Sequence, residues 1–375
     1  MDAVLVIDQD LVTEAVRTLS LNTLTAYRNG VSLKWHDAEL AVYLVYIFGE
    51  INKCTNSIHF LSDQADVGPS AGGKGRAAFC LAPATDKDKR KLIDYSEYSL
   101  TNHGEMLLAL VQSGISAYPH RTVVIQFFET TARYGDFFKV RKGCIIPTLE
   151  AMVDARYELF LLAIDGRLIH LFLVRGLHSQ SSTVRSRVFY LFHRFIKDTK
   201  NDIPVDLAVN LLDGIRDVLT IQVEIPDLED TDQQSLLTEA VNNPGLFDAQ
   251  LYIFETAGIL VSLLYKASEQ QAPLLLSIVK PLLDGLSTSL HATTKDPREV
   301  LPILEVHHII MALGNIAKGF PDYPSPVTEG YILPPLDIFG QVAQAILVCL
   351  EAMNVFKVVR DAVCSVLRKK KMVSG

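Results

Sequence analysis

The sequence predicts an all-α protein, a HEAT-like helical repeat solenoid, and three observations predict it. Apolar residues recur mostly at i, i+3, i+4 and i+7, the spacing that lays them on one face of a helix, with Leu, Ala, Gln and Glu prominent. Long alternating runs bounded by hairpin signals such as Asn-Gly are not found. Two short motifs also return at a repeat-like distance. Val184-Arg185-Ser186-Arg187-Val188 and Val359-Arg360-Asp361-Ala362-Val363 share V-R-x-x-V, and Phe128-Glu129-Thr130 is echoed by Phe254-Glu255-Thr256. Their offsets, 175 and 126 residues, divide into four and three units within the period of about 40 to 47 residues that HEAT and armadillo arrays use. A helical bundle with coincidental echoes is the alternative.

The periodicity places helices in order along the chain. Asp10 to Tyr27 and Asp37 to Lys53 come first, within a HEAT-like segment 1–61. From 62 to 101 the text turns rich in Gly, Ala, Pro and charge and loses its period, so this stretch is expected to be a flexible insertion. The array resumes over 102–375 with Asn102 to Ser116, Thr122 to Tyr134, Ile146 to Leu162, Thr183 to Lys197 and Val205 to Leu219. After an acidic break at Gln222 to Asp232 come Phe247 to Ala267, Pro273 to Leu290, Val300 to Lys318, Leu336 to Met353 and Val355 to Lys370.

Composition excludes several classes. The 375 residues are 49% hydrophobic and 21% charged, a globular balance and not a disordered one. A net charge of −8 excludes a uniformly basic nucleic-acid binder but leaves room for a local basic patch. The five cysteines, Cys54, Cys80, Cys144, Cys349 and Cys364, contain no C-x-x-C pair, which suits a reducing compartment and argues against zinc. Neither an N-glycosylation sequon nor a signal-peptide apolar core is present, so a cytosolic or nuclear setting is expected. The longest uncharged apolar stretch, Ile338 to Leu350, is shorter than the ~17 to 25 residues of a membrane span, and no membrane partner is expected.

Catalytic signatures fail on inspection. Gly68 and Gly73-Lys74 fit G-x-x-x-x-G-K, but Gly75 stands where a P-loop needs a hydroxyl for Mg²⁺, and no strand precedes it. The pair His307-His308 projects about 100° apart on a helix, which suits packed histidines better than a shared metal. No cofactor, no metal and no enzyme activity is expected.

Charge segregation says more. Leu168 to Lys200 holds six basic residues and one acid, whereas Asn201 to Asp248 holds eleven acids and one arginine. In the helix Thr183 to Lys197, Val184, Val188, Leu191, Phe192 and Phe195 form the apolar stripe. Arg187, Tyr190, Arg194 and Lys197 gather on another face. Guanidinium forks there match phosphate oxygens and a tyrosine ring can stack on a base, although pairing of these cations with acids of neighbouring helices is the competing reading. Arg133, Lys139, Arg141 and Lys142 around Asp136 carry the same two readings. The acidic stretch Glu224, Asp227, Glu229, Asp230 and Asp232 is either a charged loop or a docking surface for a basic protein. For the run Arg368 to Lys371, a helix end whose dipole favours cations suffices.

Several stretches resemble the exportin-T family of the importin-β superfamily. They are Ala117-Tyr118-Pro119-His120, Gln126 to Thr130 with Arg133-Tyr134, and Arg175-Gly176-Leu177. Thr183 to Arg187, Tyr190 to Lys197 and Leu212 to Asp217 continue the match, which is closest over Val111 to Asp232. The resemblance implies a HEAT superhelix that wraps tRNA together with the GTP-bound form of Ran, passes nuclear pore proteins and shuttles between nucleus and cytoplasm. It would read A-form shape and phosphates. On that reading Arg187, Tyr190, Arg194, Lys197, Arg175, Lys139, Arg141 and Lys142 are candidate tRNA contacts, and Glu224, Asp227, Glu229 and Asp230 candidate Ran contacts. Members of the family are much longer, so the chain is expected to be a central portion. A scaffold that binds proteins only is the rival, and it expects the Arg187 face to be blocked by intramolecular acids.

Overall fold

The structure, a computed structural model, describes residues 9–58, 76–82, 94–153, 158–164, 167–173, 176–179, 181–226, 232–321 and 334–367. The chain divides into two compact units, Met1–Gly176 and Leu177–Gly375. Helices dominate both, as the periodicity predicts.

Unit 1 contains α1 (Gln9–Arg28), α2 (Trp35–Ile58), α3 (Asn102–Gln112), α4 (Arg121–Arg133), a single turn at Gly135–Phe138, and α5 (Ile145–Val153). Helix α1 packs on α2 and α3, and α2 packs on α4, so corresponding helices of successive pairs stack in two layers. The Thr101 hydroxyl caps α3 by accepting from Gly104 N at 3.1 Å, and Gly114, at φ 73°, follows its end.

The described arms of the 62–101 segment are pinned to this core. Phe79 is buried, and its ring lies 5.5 to 6.2 Å from those of His103, Tyr134 and Phe137. Thr101 N donates to Phe79 O and Leu81 N to Ser99 O, which joins the two arms across the Cys80–Leu100 bridge. Residues 62–75, with the P-loop-like glycines, and 83–93 lie outside the described residues.

The helix expected over Ile146 to Leu162 is a correction. Helix α5 ends at Val153, and β1 (Glu158–Ile164) pairs antiparallel with β2 (Arg167–Leu173), Ile164 opposite Arg167. In sequence the two seven-residue strands, rich in Leu, Ile and Phe, are separated by Asp165-Gly166, a dipeptide common between hairpin strands and a signal that the apolar period obscured.

Unit 2 holds α6 (Ser182–Thr199), α7 (Val205–Gly214), α8 (Gln233–Asn242), α9 (Phe247–Ser262), α10 (Ser268–Lys295), α11 (Val300–Gly319), α12 (Leu336–Met353) and α13 (Lys357–Leu367). One row runs α6 on α9, α9 on α11 and α11 on α13. A second row has α10 on α12, with α10 also against α11. Helix α8, which the periodicity does not predict, starts directly after the acidic break at Gln222 to Asp232, and α7 stops five residues short of Leu219, where Gly214 weakens the helix. Helix α10 starts five residues before Pro273 and carries that proline inside it, and Gln271 anchors its first turn to Val261 O at 3.0 Å.

The sequence echoes occupy matching helical positions. Val184 and Val359 are each the third residue of their helices, and Phe128 and Phe254 each the eighth. Both phenylalanines are fully buried, and Thr130 and Thr256 each donate a hydroxyl hydrogen bond to the carbonyl four residues earlier.

Three stretches, Phe247–Tyr265, Val300–Gly319 and Leu336–Met353, are long and apolar enough to cross a membrane by length and composition, more than the uncharged-run criterion indicates. Neighbouring helices bury 67% and 78% of the first two but only 33% of the third. His307 and His308 are buried in α11. Their Nδ1 atoms are 3.1 Å apart, and His308 stacks on Phe247 at 3.8 Å. Among the described residues no cluster of three metal-ligating side chains occurs.

Candidate nucleic-acid interface

Ser181 caps α6 by accepting from Val184 N, and the helix turns its predicted apolar stripe into the core, with Val184, Val188, Leu191, Phe192 and Phe195 all buried. The stripe proves wider than predicted, because Phe189, His193 and Ile196 are buried as well. On the remaining face Arg187 is exposed, its guanidinium carbon 5.4 Å from the centre of the Tyr190 ring. Tyr190 in turn meets Tyr252 of α9 edge-on at 5.3 Å. Arg194 is half-buried and has no acidic partner among the described residues. Lys197 lies 3.7 Å from Glu255 of α9, and its side chain stays 57% exposed.

Glu255 is the group that sequence reasoning missed. Its carboxylate, only 4% exposed, accepts a hydrogen bond from Lys318 of α11 and faces Lys197 and His193 of α6, each at 3.7 Å. Burial opposes its ionisation, but the Lys318 hydrogen bond and the surrounding charges outweigh burial and hold its pKa below the usual carboxylate value. Burial pushes His193 down to about 4, so it is neutral near pH 7. Thr256 donates its hydroxyl to Tyr252 O and lies 3.2 Å from Nδ1 of His193. One carboxylate thereby ties three helices together and spends part of the charge of Lys197. The other cations of the face are Arg194 and Arg187, the latter beside the Tyr190 ring.

The second predicted group lies in unit 1 and is partly committed to structure. Arg133 forms a two-pronged pair with Glu50 at 2.8 and 2.9 Å. Lys139 pairs with Asp136 at 2.6 Å. Arg141 donates to Tyr95 O at 3.0 Å, Val140 O at 3.2 Å and Tyr98 O at 2.8 Å, and so holds down the arm that carries Tyr95. Lys139, Arg141 and the exposed Lys142 also line a cavity of about 1090 Å³, together with Arg28 and Arg76, two cations that sequence reasoning did not single out.

Glu224 is exposed, whereas Asp227, Glu229, Asp230 and Arg175 lie outside the described residues, as does Arg368 to Lys371. Asp232, counted with the acidic loop, caps α8 by accepting from Ser235 N at 3.0 Å.

Stacked helices with cations clustered on α6 and around a unit 1 cavity define a helical-repeat protein with surfaces suited to a phosphate-bearing partner. The exportin-T family model matches residues 89–373, and the chain belongs to the exportin-T family. It is 61% identical to exportin-T of Laccaria bicolor over 363 residues and 53% identical to that of Coprinopsis cinerea over 364. The exportin-T of Mycosarcoma maydis is 34% identical over 370 residues. Each match covers 96% of this chain and 31% of the relative, so the chain spans under a third of the length of those relatives.

Proposed function

We propose that this chain is the central portion of a tRNA nuclear export receptor that binds tRNA cooperatively with the GTP-bound form of Ran, passes nuclear pore proteins and shuttles between nucleus and cytoplasm. It acts as a transport receptor and not as an enzyme. Its kinship with the exportin-T relatives along 96% of its length supports this reading. A physical observation carries the RNA part. Arg187 is exposed on α6 with its guanidinium beside the Tyr190 ring, and the half-buried Arg194 of the same face has no acidic partner among the described residues. Guanidinium forks and aromatic rings so placed suit phosphate and ribose contacts that need no base-edge code. Arg187, Tyr190, Arg194 and Lys197 form the primary tRNA surface. Arg175, Lys139, Arg141 and Lys142 are secondary contacts, and Glu224, Asp227, Glu229 and Asp230 belong to the Ran contact.

The test is tRNA binding by the 375-residue chain and by its Arg187→Ala/Arg194→Ala variant. Loss of two phosphate contacts should weaken binding on the order of 10-fold or more at moderate salt. Equal affinity of the two proteins would remove α6 from the interface.

A further inference from the structure

Another cavity lies wholly within unit 2. Its wall is formed by α6 at Ser186, by Gly245 and the first half of α9 as far as Glu255, and by α11 at Asn315 and Lys318. The volume is about 490 Å³, within the range of about 300 to 1000 Å³ that small-ligand sites occupy. Asn315 is only 6% exposed, and its Nδ2 donates to Met311 O at 2.8 Å. The carbonyl oxygen at the other corner of that amide has no partner among the described residues, so a buried side chain leaves an acceptor on the cavity wall. The Ser186 hydroxyl also has no partner among the described residues.

The charges of the wall select the sign of the ligand. Asp248 has neither a hydrogen bond nor an ion pair among the described residues. Desolvation raises its pKa above the ordinary carboxylate value, and no neighbouring cation counters the shift. Glu224 brings a second carboxylate to the edge, since a Cβ on Gly245 would lie 3.1 Å from its Oε2, and it too has no partner among the described residues. Glu255 differs from both, because Lys318, Lys197 and His193 already surround it. Lys318, the one cation among the lining residues, is hydrogen-bonded to that buried carboxylate. What the wall offers to a ligand is therefore one carboxylate and two neutral acceptors, which suits an alkylammonium with its three N–H donors. A metal ion fits less well, because no cluster of three metal-ligating side chains occurs among the described residues. Leu251 and the Tyr252 ring, also on the wall, suit methylene groups and a cation over an aromatic face.

We propose that this cavity binds a linear alkyl polyamine, with one ammonium group held by Asp248, Asn315 and Ser186 and the methylene chain lying along Leu251 and Tyr252. None of these five residues belongs to the surfaces proposed above for tRNA or Ran, so the site stands or falls separately from both.

The experiment titrates the 375-residue chain by calorimetry with spermidine at constant ionic strength, and separately with Mg²⁺. Asp248→Asn removes the charge with little change of shape. Glu351→Gln removes the same charge from an exposed position on α12 and serves as the control. The expected result is spermidine binding that is about 10-fold weaker in Asp248→Asn and unchanged in Glu351→Gln, with Mg²⁺ binding more weakly than spermidine. A second readout needs no variant. In the unaltered chain, carbodiimide should couple bound spermidine to Asp248 as an amide in clear excess over Glu351, as read by peptide mass. Equal affinity of Asp248→Asn and the parent, an equal loss in Glu351→Gln, or Mg²⁺ binding as tight as that of spermidine would overturn the proposal, as would equal coupling of the two carboxylates.

Discussion

At the scale of single residues, the account turns on how each charge is balanced. Glu255 is buried and faces three side chains on two other helices, so Glu255→Ala should remove the carboxylate that Lys318 and Lys197 share. Removing one partner of a fully buried pair costs about 3 to 5 kcal/mol, but Lys318 and Lys197 are half-exposed, and screening reduces the expected loss to about 1 to 3 kcal/mol. Chemical denaturation checks this, and a change below about 0.5 kcal/mol would show that Glu255 is no keystone. Lys197→Ala, by contrast, should cost at most about 1 kcal/mol because its 3.7 Å contact is largely solvated. These pairings explain why the site was only partly legible in the sequence. The basic face of α6 follows from 3.6-residue geometry, since Arg187, Tyr190, Arg194 and Lys197 are close in sequence. Glu255, Arg28 and Arg76 reach their partners only through tertiary packing, and no local pattern announces them.

At the scale of elements, the stacking of α9 on α11 depends on two glycines. A Cβ at Gly258 would lie 2.1 Å from Ile316 O, and one at Gly319 would lie 2.4 Å from Glu255 O, both rigid backbone atoms. Gly258→Ala should therefore destabilise by about 1 to 3 kcal/mol or more. Gly340, on the exposed side of α12 with nothing within 4 Å, gives the opposite expectation. Gly340→Ala should stabilise by roughly 0.5 to 1 kcal/mol through helix propensity. Thermal melts of the two variants decide the point, and shifts of the same sign would contradict the packing described here. Most helices were legible because each buries one face, which writes a period into the sequence. The β1–β2 hairpin was not, since strands as uniformly apolar as Leu159 to Ile164 show neither the helical nor the alternating period. Only Asp165-Gly166 marks it. Gln233–Asn242 was hidden for the reverse reason, its window being too polar, with Leu237 and Ala240 alone buried.

At the scale of the whole molecule, the net charge of −8 conceals its distribution, because a basic α6 is followed in sequence by an acidic stretch and unit 1 has a basic cavity. Buried histidines impose a pH dependence on unit 2. Burial holds His193 near 4 and keeps His307 and His308 well below the usual 6.5, so the unfolded chain binds more protons than the folded one below about pH 6.5. Stability should fall as pH drops from about 6.5 toward 4, by up to about 1.4 kcal/mol per pH unit for each such histidine. The contribution of Glu255, whose pKa is also lowered, persists until about pH 4.5 and is lost as the pH falls further. A calorimetric melting temperature that does not change between pH 7 and pH 5 would contradict this. The central claim, that α6 meets the phosphates of tRNA, is tested most directly by the slope of log K against log salt for tRNA binding to the 375-residue chain. The account predicts a steep negative slope that becomes shallower by about 2 in Arg187→Ala/Arg194→Ala, about one for each cation removed. Identical slopes for the two proteins would contradict it.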